Sequence, residues 1–99
     1  MNIEQKKNGS ALTLALKGRL DTSTAPQLEA ELKTALDGVS ELIMDFEQLE
    51  YISSAGLRVL LTAQKLMNKK QGAMKVIHSN SLIQEVFEVT GFADIITIE

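Results

Sequence analysis

Two adjacent serines, Ser53 and Ser54, stand where a strand-like run gives way to a helix-like one, in Ser53-Ser54-Ala55-Gly56-Leu57. The run before them is Glu41-Leu42-Ile43-Met44-Asp45-Phe46, and the run after them extends from Leu57 to Met67. A serine at a helix start can cap it, its oxygen accepting one of the first-turn N–H groups that have no partner within the helix. It can equally carry a phosphate, because the positive end of the helix dipole and the free N–H groups favour an anion there. The two hydroxyls and the two jobs are not assigned to one another by sequence.

Other residues with chemical potential are less pointed. Asp21 lies in Arg19-Leu20-Asp21-Thr22-Ser23-Thr24. It either faces the Ser54 loop and sets its charge or satisfies turn and cap N–H groups, and the two readings are compatible. Asp45, Glu47 and Glu50 make the approach to Ser53 acidic. Acid–base catalysis needs a nucleophile and a base placed together, and neither accompanies them, so a solvated loop is expected. His78, the only histidine, follows a strand and can face the same cluster, but a lone histidine is more often structural or simply exposed. Gly56 provides a close backbone approach or a flexible first turn. The spaced glycines and lysine of a phosphate-binding loop are missing. Ser54 is preceded by Ile52 and Ser53, which excludes a Gly-x-Ser-x-Gly nucleophile turn. The expectation is a protein with no catalytic set, no metal and no cofactor.

Bulk properties narrow the class. Ninety-nine residues suit one small domain over 1–99, with 44% hydrophobic residues to build a core. The longest apolar run, Val59-Leu60-Leu61, is far too short to span a membrane, and Met1 to Lys7 lacks a secretory pattern. With no cysteine, disulfides and zinc ribbons are excluded, which fits a cytoplasmic protein. A net charge of −3 and only four aromatic residues argue against nucleic acid.

The elements that must position the serines follow from periodicity. Asn8-Gly9 signals a hairpin turn between a strand over Met1–Lys6 and one carrying Leu12, Leu14 and Leu16 on one face, ended by Gly18. Thr24 with Gln27 three residues on reads as a capping box, Pro26 suits a first turn, and Ala25, Leu28, Leu32, Ala35 and Leu36 share a face until Gly38. Glu41–Phe46 is a third strand, followed by a loop over Glu47–Ser54. In the second helix Arg58, Thr62, Lys65 and Lys69 form a polar stripe. Ala73–Ile77 is a fourth strand. Ser81 with Gln84 reads as a second capping box, opening a helix with Leu82, Val86 and Val89 inward and Gly91 at its end, and Ile95–Ile98 is the last strand. The order ββαβαβαβ predicts an α/β fold with right-handed crossovers and a mixed five-stranded sheet, parallel except for an antiparallel first strand. Functional loops of such sheets gather beyond the carboxyl ends of the strands, which groups Gly18–Thr24 with Glu47–Ser54.

On two stretches the chain resembles the STAS domain family, and within it the anti-sigma factor antagonists. One is Asp45-Phe46-Glu47-Gln48-Leu49-Glu50-Tyr51-Ile52-Ser53-Ser54-Ala55-Gly56-Leu57, similar to that family's strand, aspartate, aromatic, serine-containing turn and Gly-Leu. The other is Gly18-Arg19-Leu20-Asp21 with Ala25 and Leu28 following. The resemblance implies a STAS-like (βα)n superhelix with three to four helices. It also implies a partner, an anti-sigma factor serine kinase, that is bound by the unmodified protein, so that a sigma factor is freed. Phosphorylation of the serine at the second helix start, Ser54 by position, ends the binding, and a phosphatase resets it. Ser53 replaces a frequent aspartate of the family and Ala55 a frequent serine, which leaves Ser53 as the alternative acceptor. The implied partner surface is Asp21, Thr22, Ser23 and Thr24 with Ser53, Ser54, Ala55, Gly56, Leu57, Arg58 and Leu61, on a monomer or weak dimer. Leu57 and Leu61 either form an apolar binding face or pack under the third helix. Stand-alone STAS domains also resemble small subunits of lipid-transport ABC complexes and parts of stress-signalling assemblies, so a constitutive scaffold is the alternative.

Overall fold

The computed structural model describes residues 1–99. Its elements are β1 (Asn2–Asn8), β2 (Ala11–Leu20), α1 (Ala25–Ala35), β3 (Glu41–Ile52), α2 (Ser54–Lys69), β4 (Ala73–Ile77), α3 (Ser81–Thr90), a 3-10 turn over Phe92–Asp94, and β5 (Thr97–Ile98). The sheet has the order β1-β2-β3-β4-β5, with β1 antiparallel to β2 and every other pair parallel. Asn8 pairs with Ala11 across a tight turn in which Gly9 takes a left-handed φ of 63°, as the Asn-Gly signal requires.

Right-handed crossovers between strands laid down in sequence order put every connecting helix on the same face of the sheet. Burial alternates accordingly. Leu12, Leu14 and Leu16 of β2, Leu42, Met44 and Phe46 of β3, and Met74 and Val76 of β4 are buried among the helices. Their neighbours Thr13, Ala15, Ile43, Asp45, Lys75 and Ile77 point to the other face and stay partly exposed. Leu28 and Leu32 of α1, Leu60, Ala63 and Met67 of α2, and Ile83 and Phe87 of α3 complete one continuous core. Phe87 stacks on Phe46 with ring centres 6.4 Å apart, which pins α3 to β3. No helix is long and apolar enough to cross a membrane.

Four details depart from the sequence reading. Strand β2 does not end at Gly18, and Glu47–Ile52 is strand rather than loop: Lys17 to Leu20 pair with Gln48 to Ile52. The register shifts between Ala15 and Lys17 and again between Gly18 and Arg19, so extra residues interrupt the period of two. Buried positions therefore jump from Phe46 to Leu49 and then Ile52, a spacing that does not look like a strand. Thr24 makes no side-chain cap on α1. Asn80, not Ser81, caps α3, its Oδ1 accepting the Ile83 amide at 2.8 Å. Finally, α3 buries Ile83 and Phe87, while Leu82 and Val89 are 51% and 80% exposed.

Candidate functional site

The carboxyl ends of β2 and β3 are tied by a hydrogen bond from the Ser53 amide to the Leu20 carbonyl, at 2.9 Å. This contact brings the turn after β2 beside the start of α2. Ser53 is the N-cap of α2: its backbone is extended (φ −102°, ψ 177°) and its Oγ accepts the Gly56 amide at 3.4 Å. Ser54 is the first helical residue and is exposed. The cap thus falls to Ser53, and Ser54 presents an exposed hydroxyl beside unpaired first-turn N–H groups.

Gly56 is the reason the helix can start so close to the sheet. A Cβ there would lie 2.7 Å from Leu20 Cγ, 2.9 Å from Ile52 Cγ1 and 3.0 Å from the Leu20 carbonyl oxygen. Leu57 is buried in the core and offers no surface, and Gly56 is buried with it. Leu61 packs under no third helix: it lines a groove of about 550 Å³ between α1 and α2, with Thr22, Ala25, Pro26, Ala55 and Arg58. Glu29, Val59, Thr62 and Lys65 complete that lining. Arg58 and Lys65 are exposed, and Thr62 returns its hydroxyl to the Arg58 carbonyl at 3.0 Å.

Asp21 organises the other wall. Its Oδ1 accepts the Ser23 hydroxyl at 2.7 Å, the Ser23 amide at 3.0 Å and the Thr24 amide at 3.2 Å. These bonds, the Ser23 hydroxyl foremost, hold its carboxyl below the usual aspartate range against the opposing effect of desolvation. Thr24 donates its hydroxyl to the Arg19 carbonyl and accepts the Asp21 amide, both at 2.8 Å. Thr22 and Ser23 are exposed. Arg19, absent from the sequence reading as a site residue, lies 3.8 Å from Asp21 Oδ2 and stacks 4.4 Å over the Tyr51 ring. Arg19 and Tyr51 are register partners across β2 and β3, a pairing invisible until the bulges are known.

The acidic approach to Ser53 separates into parts. The Glu50 carbonyl takes a hydrogen bond from Asn80 Nδ2 at 3.4 Å, which fastens the α3 start to the end of β3. Asp45 and Glu47 instead meet His78, whose Nδ1 is 3.0 Å from Asp45 Oδ1 and 3.8 Å from Glu47 Oε2. The hydrogen bond to Asp45, and the charges of both carboxylates, raise the His78 pKa above its usual value despite partial desolvation. The lone histidine therefore has acid partners after all.

A sheet wound in sequence order, with a serine presented at the start of its second helix beside an aspartate-closed turn, is the architecture of a small STAS-type signalling module. The chain belongs to the STAS domain family, matching the family described as "Mlab, STAS domain" over residues 3–97. It is 36% identical over 99 residues to the protein named anti-sigma factor antagonist BtrV of Bordetella bronchiseptica, covering 99% of this chain and 85% of that one. It is 26% identical over 98 residues to the anti-sigma-B factor antagonist of Bacillus subtilis, covering 99% and 90%. Among solved structures, the Bacillus cell fate determinant SpoIIAA in its phosphorylated form superimposes with a TM-score of 0.78 at 20% identity, covering 99% and 91%. Anti-sigma factor antagonists are thus the branch of the family in which these relatives lie.

Proposed function

We propose that this chain is an anti-sigma factor antagonist whose unmodified form binds an anti-sigma factor serine kinase and releases a sigma factor, and that phosphorylation of Ser54 ends the binding. The observation that carries this reading is the division of labour between the serines. Ser53 is committed to the cap, while Ser54 is exposed at the first helical position, next in the chain to Ala55 of the groove between α1 and α2. The anti-sigma factor antagonist names of its full-length relatives support the partner class.

The switch needs no refolding. Phosphate adds about −1.5 to −2 charges at neutral pH, and the α2 dipole accommodates them within the chain. At an interface the same charge is desolvated beside the Asp21 turn and any acidic group of the partner, and like-charge contacts there cost several kcal/mol. A penalty of about 3 kcal/mol weakens binding roughly a hundredfold. A phosphatase that removes the group completes the cycle.

The test is calorimetric titration of the parent, Ser54→Asp and Ser54→Ala proteins against the cognate kinase, with in vitro phosphorylation followed by mass spectrometry. Ser54→Asp is expected to lose binding with its melting temperature within a few degrees of the parent. Ser54→Ala is expected to bind and take up no phosphate. If Ser54→Asp binds as tightly as the parent and neither Ser53 nor Ser54 is modified, the protein is a constitutive scaffold.

A further inference from the structure

We propose that Asp45, Glu47 and His78 form a site for a divalent first-row transition cation of the zinc type on the open face of the sheet. The site lies across the sheet from the helices and is independent of the Ser54 switch. One ligand atom from each of the three residues lies within 4.8 Å of the other two. A tetrahedral zinc with bonds of about 2.0–2.2 Å holds its ligand atoms roughly 3.3–3.6 Å apart. The separations from His78 Nδ1, 3.0 Å to Asp45 and 3.8 Å to Glu47, bracket that range.

The backbone builds the set from two neighbouring strands. Asp45 of β3 pairs in register with Ile77, the last residue of β4. His78 then turns through a left-handed φ of 62°, with its ring seated on Asp45. The Glu47 amide donates to Asp45 Oδ1 at 3.1 Å, which fixes that carboxylate. Glu47 itself is largely exposed and free to close onto an ion. Asp45 and Glu47 also line a cavity of about 70 Å³ with Asn2, Glu4, Lys17 and Gln48. A water supplies the fourth position.

Charge and ligand type select the occupant. Two carboxylates and a neutral imidazole balance a divalent cation, whereas a protonated histidine balances only one of the two acids. The imidazole nitrogen favours zinc, cobalt or copper over magnesium and calcium, which take oxygen ligands. A bound ion bridges β3 to the turn before α3 and stabilises the fold by mass action.

The experiment is titration of the full, tag-free protein with zinc chloride by calorimetry, and with cobalt(II) by visible absorption. Parent, His78→Asn and Glu47→Gln proteins are compared, and thermal melts are run with and without zinc. Asparagine tolerates the left-handed backbone at position 78, and position 47 is exposed, so both variants are expected to fold. The expected result is one ion per chain, with affinity at least about tenfold weaker in each variant, the loss seen when groups around a metal are removed. Zinc is expected to raise the parent's melting temperature well above its effect on either variant, and magnesium to leave it unchanged. Absence of zinc binding by the parent, or equal affinity in parent and variants, overturns the proposal.

Discussion

The amide of Ser53 and the carbonyl of Leu20 close a 2.9 Å hydrogen bond between the ends of β3 and β2. That one contact sets the position of the Asp21 turn relative to α2, and it leaves the space above Leu20 only as deep as a glycine. Replacing Gly56 by alanine drives a methyl group into the Leu20 and Ile52 side chains and toward the Leu20 carbonyl. Gly56→Ala is expected to destabilise the protein by about 1–3 kcal/mol, the usual cost of overpacking. Urea unfolding of the two proteins measures it, and an unchanged midpoint refutes the close approach.

The two serines are expected to separate cleanly in stability. Ser53→Ala removes the cap of α2 and is expected to cost about 1 kcal/mol. Ser54→Ala alters an exposed first-turn residue and is expected to stay within about 0.5 kcal/mol of the parent. Thermal melts of both variants check the assignment, and the reverse ranking contradicts it.

A parallel pair tests the third helix. Asn80 caps α3 and also donates to the Leu49 and Glu50 carbonyls, so Asn80→Ala is expected to cost about 1–2 kcal/mol. Ser81→Ala, one residue inside the helix, is expected to be nearly neutral. Hydrogen exchange of the Ile83 amide adds a local readout, with protection lost in Asn80→Ala alone.

Asp21 makes a pH-dependent contribution whose sign follows from its depressed pKa. The stabilisation is present above the unfolded value, about 3.9, and is lost as pH falls through the lower folded value. The parent is therefore expected to be more stable than Asp21→Asn at neutral pH, with the gap narrowing on acidification below roughly pH 4. Denaturant unfolding of both proteins across that interval reads the effect directly. A gap that is constant or widens toward acid counts against the Ser23 and Thr24 bonds to the carboxylate.

Much of the fold was legible because its strands obey a period of two and its connections are short. Leu12, Leu14 and Leu16, then Leu42, Met44 and Phe46, announce buried faces, and Asn8-Gly9 announces the hairpin. The bulged part of β2 and β3 was not legible, because Leu49 and Ile52 fall out of phase with Phe46. The α3 face was ambiguous for a different reason: Leu82, Val86 and Val89 form one apolar stripe, while Ile83 and Phe87 form another, offset by one residue. Only the stacking of Phe87 on Phe46 selects between them. At the site, the serine pair and Asp21 could be found by type and spacing. The partners of His78 could not, because Asp45 and Glu47 lie more than thirty residues away and meet it only through strand register.

The spatial order of the strands repeats their order along the chain. Each strand after the first therefore joins a free edge, and none must enter between two already paired. A chain leaving the ribosome from its N-terminus can lay down β1 and β2, add β3 over α1, and then add each later strand in turn, without undoing an earlier pairing. The topology thus permits assembly from the N-terminus onward, with no step that must reopen an earlier pairing.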